Sequence, residues 1–349
     1  MDRHHKYSVA LIGLVAVTSL FLWTVSWRLE PMEGDLTRIG DFRERDYAPR
    51  SPQYRYGTQK LVSDIYDRPV DILVVGDSFS WSPVGGSWLD HFIAKTGLRV
   101  AVTGHEWQYP NKFLQLPAYQ KFRPQVVIYE SAERLLKERL NKPTAVCSVG
   151  PAKPAVRLER RPLKSKLAVH VRAYRKTWGQ VDITQAWDYL WVNLMRQLSG
   201  NRTAAQTFRL KRPLFSSRLS RQLLILRSDL VKKAWSVAML ERISCNIKNL
   251  QAMTEEDGQT LFVALLIPDK TSAYASELVA PRPMHVSVLP RLDLHGVHSV
   301  PAAAALERAV QAGELDVYLP NDSHLGEVGA RITAEAVISK LVELGVLSK

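Results

Sequence analysis

The stretch Asp71-Ile72-Leu73-Val74-Val75-Gly76-Asp77-Ser78-Phe79-Ser80 restricts the fold more than any other in the chain. Its run of aliphatic, largely β-branched side chains has no polar alternation, which predicts a strand buried on both faces. Strands of that kind belong to parallel sheets covered by helices on either side. Arg99-Val100-Ala101-Val102, Gln125 to Tyr129 and Thr260 to Ile267 have the same character. Helices are expected at Trp88–Ala94, at Pro117–Phe122 and from Gly326 to Leu344, with a short one over Thr58–Tyr66 leading into the first strand. Strand and helix therefore alternate, and the predicted fold class is α/β with a mainly parallel sheet.

The first strand stops at Gly76, and Gly76-Asp77-Ser78 turns the chain. A serine on a sharp turn after a central strand exposes its hydroxyl at the carboxyl edge of the sheet, where such folds bind ligands. Neighbouring backbone N–H groups there can face an incoming carbonyl oxygen. A hydroxyl needs a base to become a nucleophile. Leu319-Pro320-Asn321-Asp322-Ser323-His324-Leu325-Gly326 supplies one. In an extended segment Asp322 and His324 project to the same side, so the carboxylate holds one imidazole nitrogen and leaves the other for Ser78. His295, which follows Asp293 at the same spacing, is the weaker rival because no terminal helix follows it closely. His91, His105 and His285 are scattered singly. Gly296 and the flanking prolines keep His295 and His298 from aligning on a helix, so no metal site is expected. No phosphate-binding glycine loop or dinucleotide fingerprint is visible, and no cofactor is expected.

Ser8 to Trp27 carries no charge and is long enough to cross a bilayer as a helix. Tyr7, Trp23 and Trp27 fall near its ends. Arg3 and Lys6 precede it, which favours a cytoplasmic N-terminus with the main domain outside the cytoplasm. A cleaved signal peptide is the alternative, but the expected small-residue cleavage site is absent. The expected organisation is a cytoplasmic residue 1–7 segment, an anchor at 8–27, a linker at 28–57 and one domain at 58–349 with an insertion at about 140–255.

The net charge of +13 is concentrated in that insertion. Arg134 to Lys233 holds 23 of the 47 Lys and Arg residues but only 5 of the 34 Asp and Glu residues. It includes the basic run Lys153–Lys176, an amphipathic stretch Ile183–Leu198 with Trp187, Leu190, Trp191 and Leu194 at helical spacing, and a further basic, apolar stretch, Phe208–Leu240. These read as a helical cap packing its Trp and Leu residues on the main domain, or as a basic surface for an anionic polymer or lipid headgroups. No nucleic-acid recognition motif accompanies the charge, so nucleic acid is not an expected partner. Cys147 and Cys245 permit one disulfide in an oxidising compartment, or stand as two separate thiols.

Taken together, these motifs resemble the SGNH hydrolase superfamily, in which an early Gly-Asp-Ser supplies the nucleophile and a late Asp–His pair completes the triad. The closer resemblance is to the AlgJ/AlgX-like branch of polysaccharide O-acetyltransferases. It rests on Gly76-Asp77-Ser78-Phe79-Ser80, on Ile267-Pro268-Asp269-Lys270-Thr271-Ser272-Ala273-Tyr274, and on Asp322-Ser323-His324 before a glycine-containing helix start. It covers most of residues 68–345 apart from the insertion. In AlgJ and AlgX the Asp-x-His segment precedes the serine, whereas here the serine comes first, an order related by circular permutation. Tyr129 to Arg134 stands where the superfamily has an Asn-containing block.

The resemblance implies a three-layer sandwich, an acyl-Ser78 intermediate, and an O-acetyltransferase at the periplasmic face of a bacterial inner membrane. It also implies a polysaccharide acceptor and a membrane-bound O-acyltransferase as acyl source. Oxyanion-hole candidates are the Ser78 N–H, Gly104 and Arg134. Lys270 and Tyr274 are candidates for substrate contact or for loop packing, and Glu130 and Glu133 either orient Arg134 or form surface salt bridges. A carbohydrate esterase using the same triad, and a non-catalytic polysaccharide-binding scaffold in an export complex, are the other functions compatible with the sequence.

Overall fold

The computed structural model describes residues 3–28, 33–40, 42–56, 61–62, 67–81, 87–105, 110–144, 146–148, 154–160, 169–172, 183–199 and 204–348. The strands are β1 (Gln53–Tyr56), β2 (Leu61–Val62), β3 (Ile72–Gly76), β4 (Val100–Gly104), β5 (Val126–Ala132), β6 (Val169–Arg172), β7 (Ala205–Arg209), β8 (Gln222–Leu226) and β9 (Leu261–Ile267). The α-helices of the first half are α1 (Arg3–Arg28), α2 (Asp35–Gly40), α3 (Glu44–Tyr47), α4 (Ser78–Trp81), α5 (Trp88–Thr96), α6 (Pro117–Lys121) and α7 (Leu136–Leu140). Those of the second half are α8 (Ile183–Ser199), α9 (Val237–Glu255), α10 (Lys270–Ala273), α11 (Ala302–Ala312) and α12 (Glu327–Glu343).

The central sheet has the order β2-β4-β3-β5-β9, and every pairing in it is parallel. Successive side chains of a strand point to opposite faces, so each apolar strand feeds two cores. Ile72, Val74, Val126, Ile128, Val263 and Leu265 pack with α5, α11 and α12 on one face. Leu73, Val75, Val127, Tyr129, Phe262 and Ala264 pack with α7 and α9 on the other. This is the expected three-layer arrangement. After β3 the chain adds β4 on one side and β5 on the other, so the carboxyl end of β3 lies at the topological switch point.

Three expectations are corrected. Within Thr58–Tyr66, expected as a helix, Leu61 and Val62 form the edge strand β2 beside Ala101 and Val102; the rest of that stretch lies outside the described residues. Second, the segment 28–57, expected as a linker, carries α2, α3 and β1. Leu36 and Tyr47 are buried against Ala205 and Leu224, so the prolines and charges that suggested a linker decorate a folded strap. The strap is fastened to the loop before α12, where Leu36 N and Thr37 N donate to Asn321 O at 3.2 and 3.3 Å. Glu44 accepts from Thr37 Oγ1 at 2.5 Å and from Asn321 Nδ2.

Third, the insertion ends before α9. Leu240, Ile243, Ile247 and Leu250 recur at helical spacing and are buried against the sheet, making α9 the crossover helix into β9. Within the insertion β7 and β8 form an antiparallel pair, and β6 pairs with β1. Most of the basic run Lys153–Lys176 lies outside the described residues. Trp187 and Trp191 do not pack on the main domain; they are 54% and 51% exposed and stack on each other. Cys147 and Cys245 are free thiols brought side by side across the chain, with burial and then the Cys147 thiol pushing Cys245 up to about 11.

The strap also carries a pH signature. Burial pushes the Glu44 carboxyl up to about 7, against the hydrogen bonds from Thr37 and Asn321. The folded state therefore keeps a proton that the unfolded chain has already released above its own pKa of 4.5. The stabilisation is complete below that value and lost as pH rises to about 7, a contribution of up to about 3 kcal/mol. Thermal melts followed by circular dichroism from pH 5 to 8 are expected to show this decline, and Glu44→Gln is expected to flatten it.

Candidate active site

Gly76 ends β3 because nothing larger fits. A Cβ there would lie 2.7 Å from Ser80 Oγ and 2.8 Å from Glu130 Oε2. The following Asp77 fastens the turn: its carboxylate accepts from Phe79 N at 3.0 Å, Ala132 N at 3.1 Å and Arg139 Nη1 at 2.8 Å. Burial opposes that charge, but the Arg139 guanidinium and the backbone donors hold the carboxyl below the usual carboxylate range. Glu130 Oε2 accepts from Asp77 N at 2.9 Å and Ser80 Oγ at 2.8 Å. Burial and the adjacent Asp77 charge push the Glu130 carboxyl well above its ordinary range. The N–H groups of Asp77, Phe79 and Ser80 are thus consumed by the turn, whereas the Ser78 N–H has no acceptor among the described residues.

Ser78 opens α4, and His324 comes to it from the loop before α12. His324 Nε2 lies 2.6 Å from Ser78 Oγ, and His324 Nδ1 lies 2.5 Å from Asp322 Oδ1. Tyr318 and Leu325 bridge the ends of that loop, and Leu319 N donates to His324 O at 3.0 Å. Phe79 packs against the imidazole, with ring centroids 5.1 Å apart. Burial works against a charged His324, but the Asp322 hydrogen bond and charge overcome it and raise the imidazole above its ordinary 6.5. Asp322 resists burial in the same way: bonded to His324, it is held down at about 2. Electrostatically, this is a buried carboxylate that keeps its charge beside a histidine that holds its proton more tightly than a free imidazole.

Lys270 and Tyr274 are corrected as substrate contacts. Lys270 is fully buried beneath the loop and donates to Leu319 O at 2.6 Å, Pro320 O at 3.2 Å and Asp322 O at 3.0 Å. Burial draws its pKa down to about 7 against the opposing pull of Asp322 and Asp35. Tyr274 is equally buried, and its hydroxyl accepts from Tyr318 N at 3.3 Å. Both side chains hold the loop from inside.

Arg134 is anchored rather than offered freely. Its backbone N and Nη1 both reach Asp269 Oδ1 at 3.2 Å, Asp229 lies 3.7 Å away, and the guanidinium sits 5.8 Å above the Phe79 ring. Glu130 and Glu133 do not orient it: Glu133 instead accepts from Lys232, Ser272, Ser287 and the N–H groups of Asp269 and Val288. Gly104 ends β4 in register with Gly76, and no atom lies within 4 Å of where its Cβ would stand. The space above the carboxyl end of β4 is therefore open among the described residues. His295 is exposed, and its N–H donates to Asp293; His298 faces Glu255 at 3.6 Å, and neither histidine touches Ser78.

Asp35 is the residue that sequence reasoning missed. From the strap, its carboxylate accepts from Ser323 N at 2.8 Å and Ser323 Oγ at 2.5 Å, while Asp35 N donates to Asp322 Oδ2 at 3.0 Å. The strap thereby completes the hydrogen bonding of Asp322 on the side away from His324. Asp35, Asp322 and His324 place three possible metal-ligand atoms within 4.8 Å of one another. Their donors and acceptors are already joined to one another, to Ser323 and to Ser78, a hydrogen-bonded relay rather than an open cage. Only the pattern of an acidic residue in a short strap marks Asp35 in the sequence, and that pattern is too common to single it out.

The Lys270 contacts generate a test. Lys270→Met leaves three buried carbonyls without their donor, and each unsatisfied group costs about 1–3 kcal/mol before relaxation. Chemical denaturation is expected to show a loss of about 2–4 kcal/mol. Labelling of Ser78 by a fluorophosphonate is expected to slow under conditions where the variant remains folded, because the loop carrying His324 is no longer held.

Residues 224–347 match a family model described as the SGNH hydrolase-like domain of the acetyltransferase AlgX. No curated protein matches the chain. The matched region contains β9, α10, Lys270, Asp322 and His324, and leaves Ser78 outside it. It supports an acetyltransferase-type function. Residues 224–347 are thus similar to that domain, which supports the expected resemblance to the AlgX/AlgJ-like branch of the SGNH hydrolases.

Proposed function

We propose that the chain is a membrane-anchored O-acyltransferase that acetylates a polysaccharide outside the cytoplasm through an acyl-Ser78 intermediate. The observation that carries this reading is the continuous chain Ser78 Oγ–His324–Asp322, with contacts of 2.6 and 2.5 Å, at the carboxyl edge of the sheet. In this reading His324 Nε2 takes the Ser78 proton as Oγ attacks the carbonyl of the acyl donor. The Ser78 N–H, which has no acceptor among the described residues, donates to the resulting oxyanion in this reading. The imidazolium returns its proton to the leaving group, forming the acyl-serine. A sugar hydroxyl then gives its proton to His324, attacks the acyl carbon, and releases the acetylated sugar and Ser78.

Asp322 stays charged throughout and stabilises the imidazolium in each half-reaction. The anchor in this proposal is α1, whose segment His4–Trp27 is apolar and long enough to cross a membrane. In this reading the catalytic domain lies in the periplasm of a bacterial inner membrane. There a membrane-bound O-acyltransferase would be the acyl source, and a polysaccharide in export the acceptor.

The test uses the full chain in detergent, an activated acetyl ester as donor and an oligosaccharide as acceptor. Intact mass and peptide mapping are expected to find an acetyl adduct on Ser78, absent in Ser78→Ala, that clears faster with sugar and leaves acetylated sugar. Clearance to free acetate regardless of sugar would make the protein an esterase, and no adduct on a folded chain would leave only a scaffold role. Adduct formation is expected to rise with pH as His324 loses its proton, with a midpoint above the ordinary 6.5. Asp322→Asn removes what raises that pKa. It is expected to move the midpoint down and to slow acylation by roughly 10³–10⁴-fold through the wrong tautomer.

A further inference from the structure

The amphipathic helix α8 has an apolar stripe that the main domain does not cover. Ile183, Trp187, Trp191, Leu194, Met195 and Leu198 recur at helical spacing and are 42–73% exposed. Trp187 and Trp191 stack at 6.4 Å with an interplanar angle of 11°. Apolar stripes of this size on a water-facing helix mark a surface that meets something else.

The position of α8 identifies that surface. It packs against α1. Nearly all described side chains of α1 are exposed; those withdrawn are Leu22, Val25 and Ser26, in its last two turns. At the same end, Trp23 and Trp27 stack on each other at 6.1 Å. Paired tryptophans at the end of an apolar span lie at the boundary between hydrocarbon and headgroups, where their amphipathic rings are most stable. The second tryptophan pair lies on α8, the helix that packs against this one.

We infer that α8 is an interfacial helix that lays its Trp187/Trp191 face into the lipid bilayer beside the exit of α1. This rests on the reading of α1 as the membrane anchor and adds a second, non-spanning attachment. A helix with a strong apolar face and a polar opposite face takes this position without crossing the membrane. Two attachments restrict how the domain is oriented, where one spanning helix alone would leave it free to swivel. The chain from Arg28 to Asp35 reaches at most about 25 Å, so the strap that bonds Asp322 is tethered close to the bilayer. With α8 docked, the Ser78 site is held near the surface at which a membrane-embedded acyl donor would deliver its group.

The experiment uses the full chain in phosphatidylcholine/phosphatidylglycerol vesicles, with Cys147→Ser and Cys245→Ser as background. An environment-sensitive fluorophore is attached through Trp191→Cys, Asp188→Cys or Val15→Cys, and unchanged thermal melts establish that each variant is folded. Quenching is measured with phosphatidylcholines brominated near the acyl carbonyls (for 188 and 191) or near the chain ends (for 15) and, separately, with aqueous iodide. The expected result is roughly two-fold quenching by bromolipid at positions 15 and 191, with position 188 quenched by iodide instead. Lipid quenching at 15 with iodide quenching at 191 would place α8 in water and overturn the inference while sparing the anchor. Protection of 191 from both quenchers would mean that protein covers the stripe, which overturns it equally. Iodide quenching at position 15 would remove the anchor itself, and this inference with it.

Discussion

One buried ammonium group underlies the geometry of the site. Lys270 gives its three donors to the carbonyls of Leu319, Pro320 and Asp322, which fixes the loop from which Asp322 and His324 project. A loop of this kind brings several backbone carbonyls inside, where each needs a partner. A lysine Nζ has the right number of donors to satisfy three at once. The nearby Asp322 and Asp35 charges offset part of the cost of burying a cation. The loop is thereby fixed from below by a side chain of the loop after β9, and closed at its ends by the Tyr318–Leu325 bridge.

The Ser78 side of the candidate site is built on the same principle with opposite charge. The Asp77 carboxylate collects the N–H groups of Phe79 and Ala132 and the Arg139 guanidinium, the Glu130 carboxyl takes the N–H of Asp77, and the Asp77 carbonyl takes that of Ser80. The donors around Ser78 are thereby consumed, while the Ser78 N–H itself has no acceptor among the described residues. Both halves of the site are therefore polar structures sealed inside apolar layers, where hydrogen bonds are strong and unmet ones costly. Phe79 joins them, touching both the His324 ring and the Arg134 guanidinium.

The strap of residues 33–47 ties the N-terminal side of the chain to this arrangement. Asn321 receives it through backbone and side chain, and Asp35 bonds both Ser323 and Asp322. The segment nearest the apolar helix α1 is thus the one that finishes the hydrogen bonding of the acid in the relay.

Periodicity and turn chemistry in the sequence determined the parallel sheet, the terminal helix, the position of Ser78 after a central strand and the pairing of Asp322 with His324. These follow from local rules: uninterrupted apolar runs make two-sided strands, and residues two apart in an extended loop share a side. Only the tertiary structure decided what Lys270, Tyr274, Asp35, Glu130 and Glu133 do. Each is a polar residue whose role depends on which distant backbone group it meets in the interior, and no local pattern encodes that meeting. The same holds for the strap, whose short elements are stable only because Leu36 and Tyr47 find Ala205 and Leu224. Composition made it resemble a linker, and long-range burial made it part of the site.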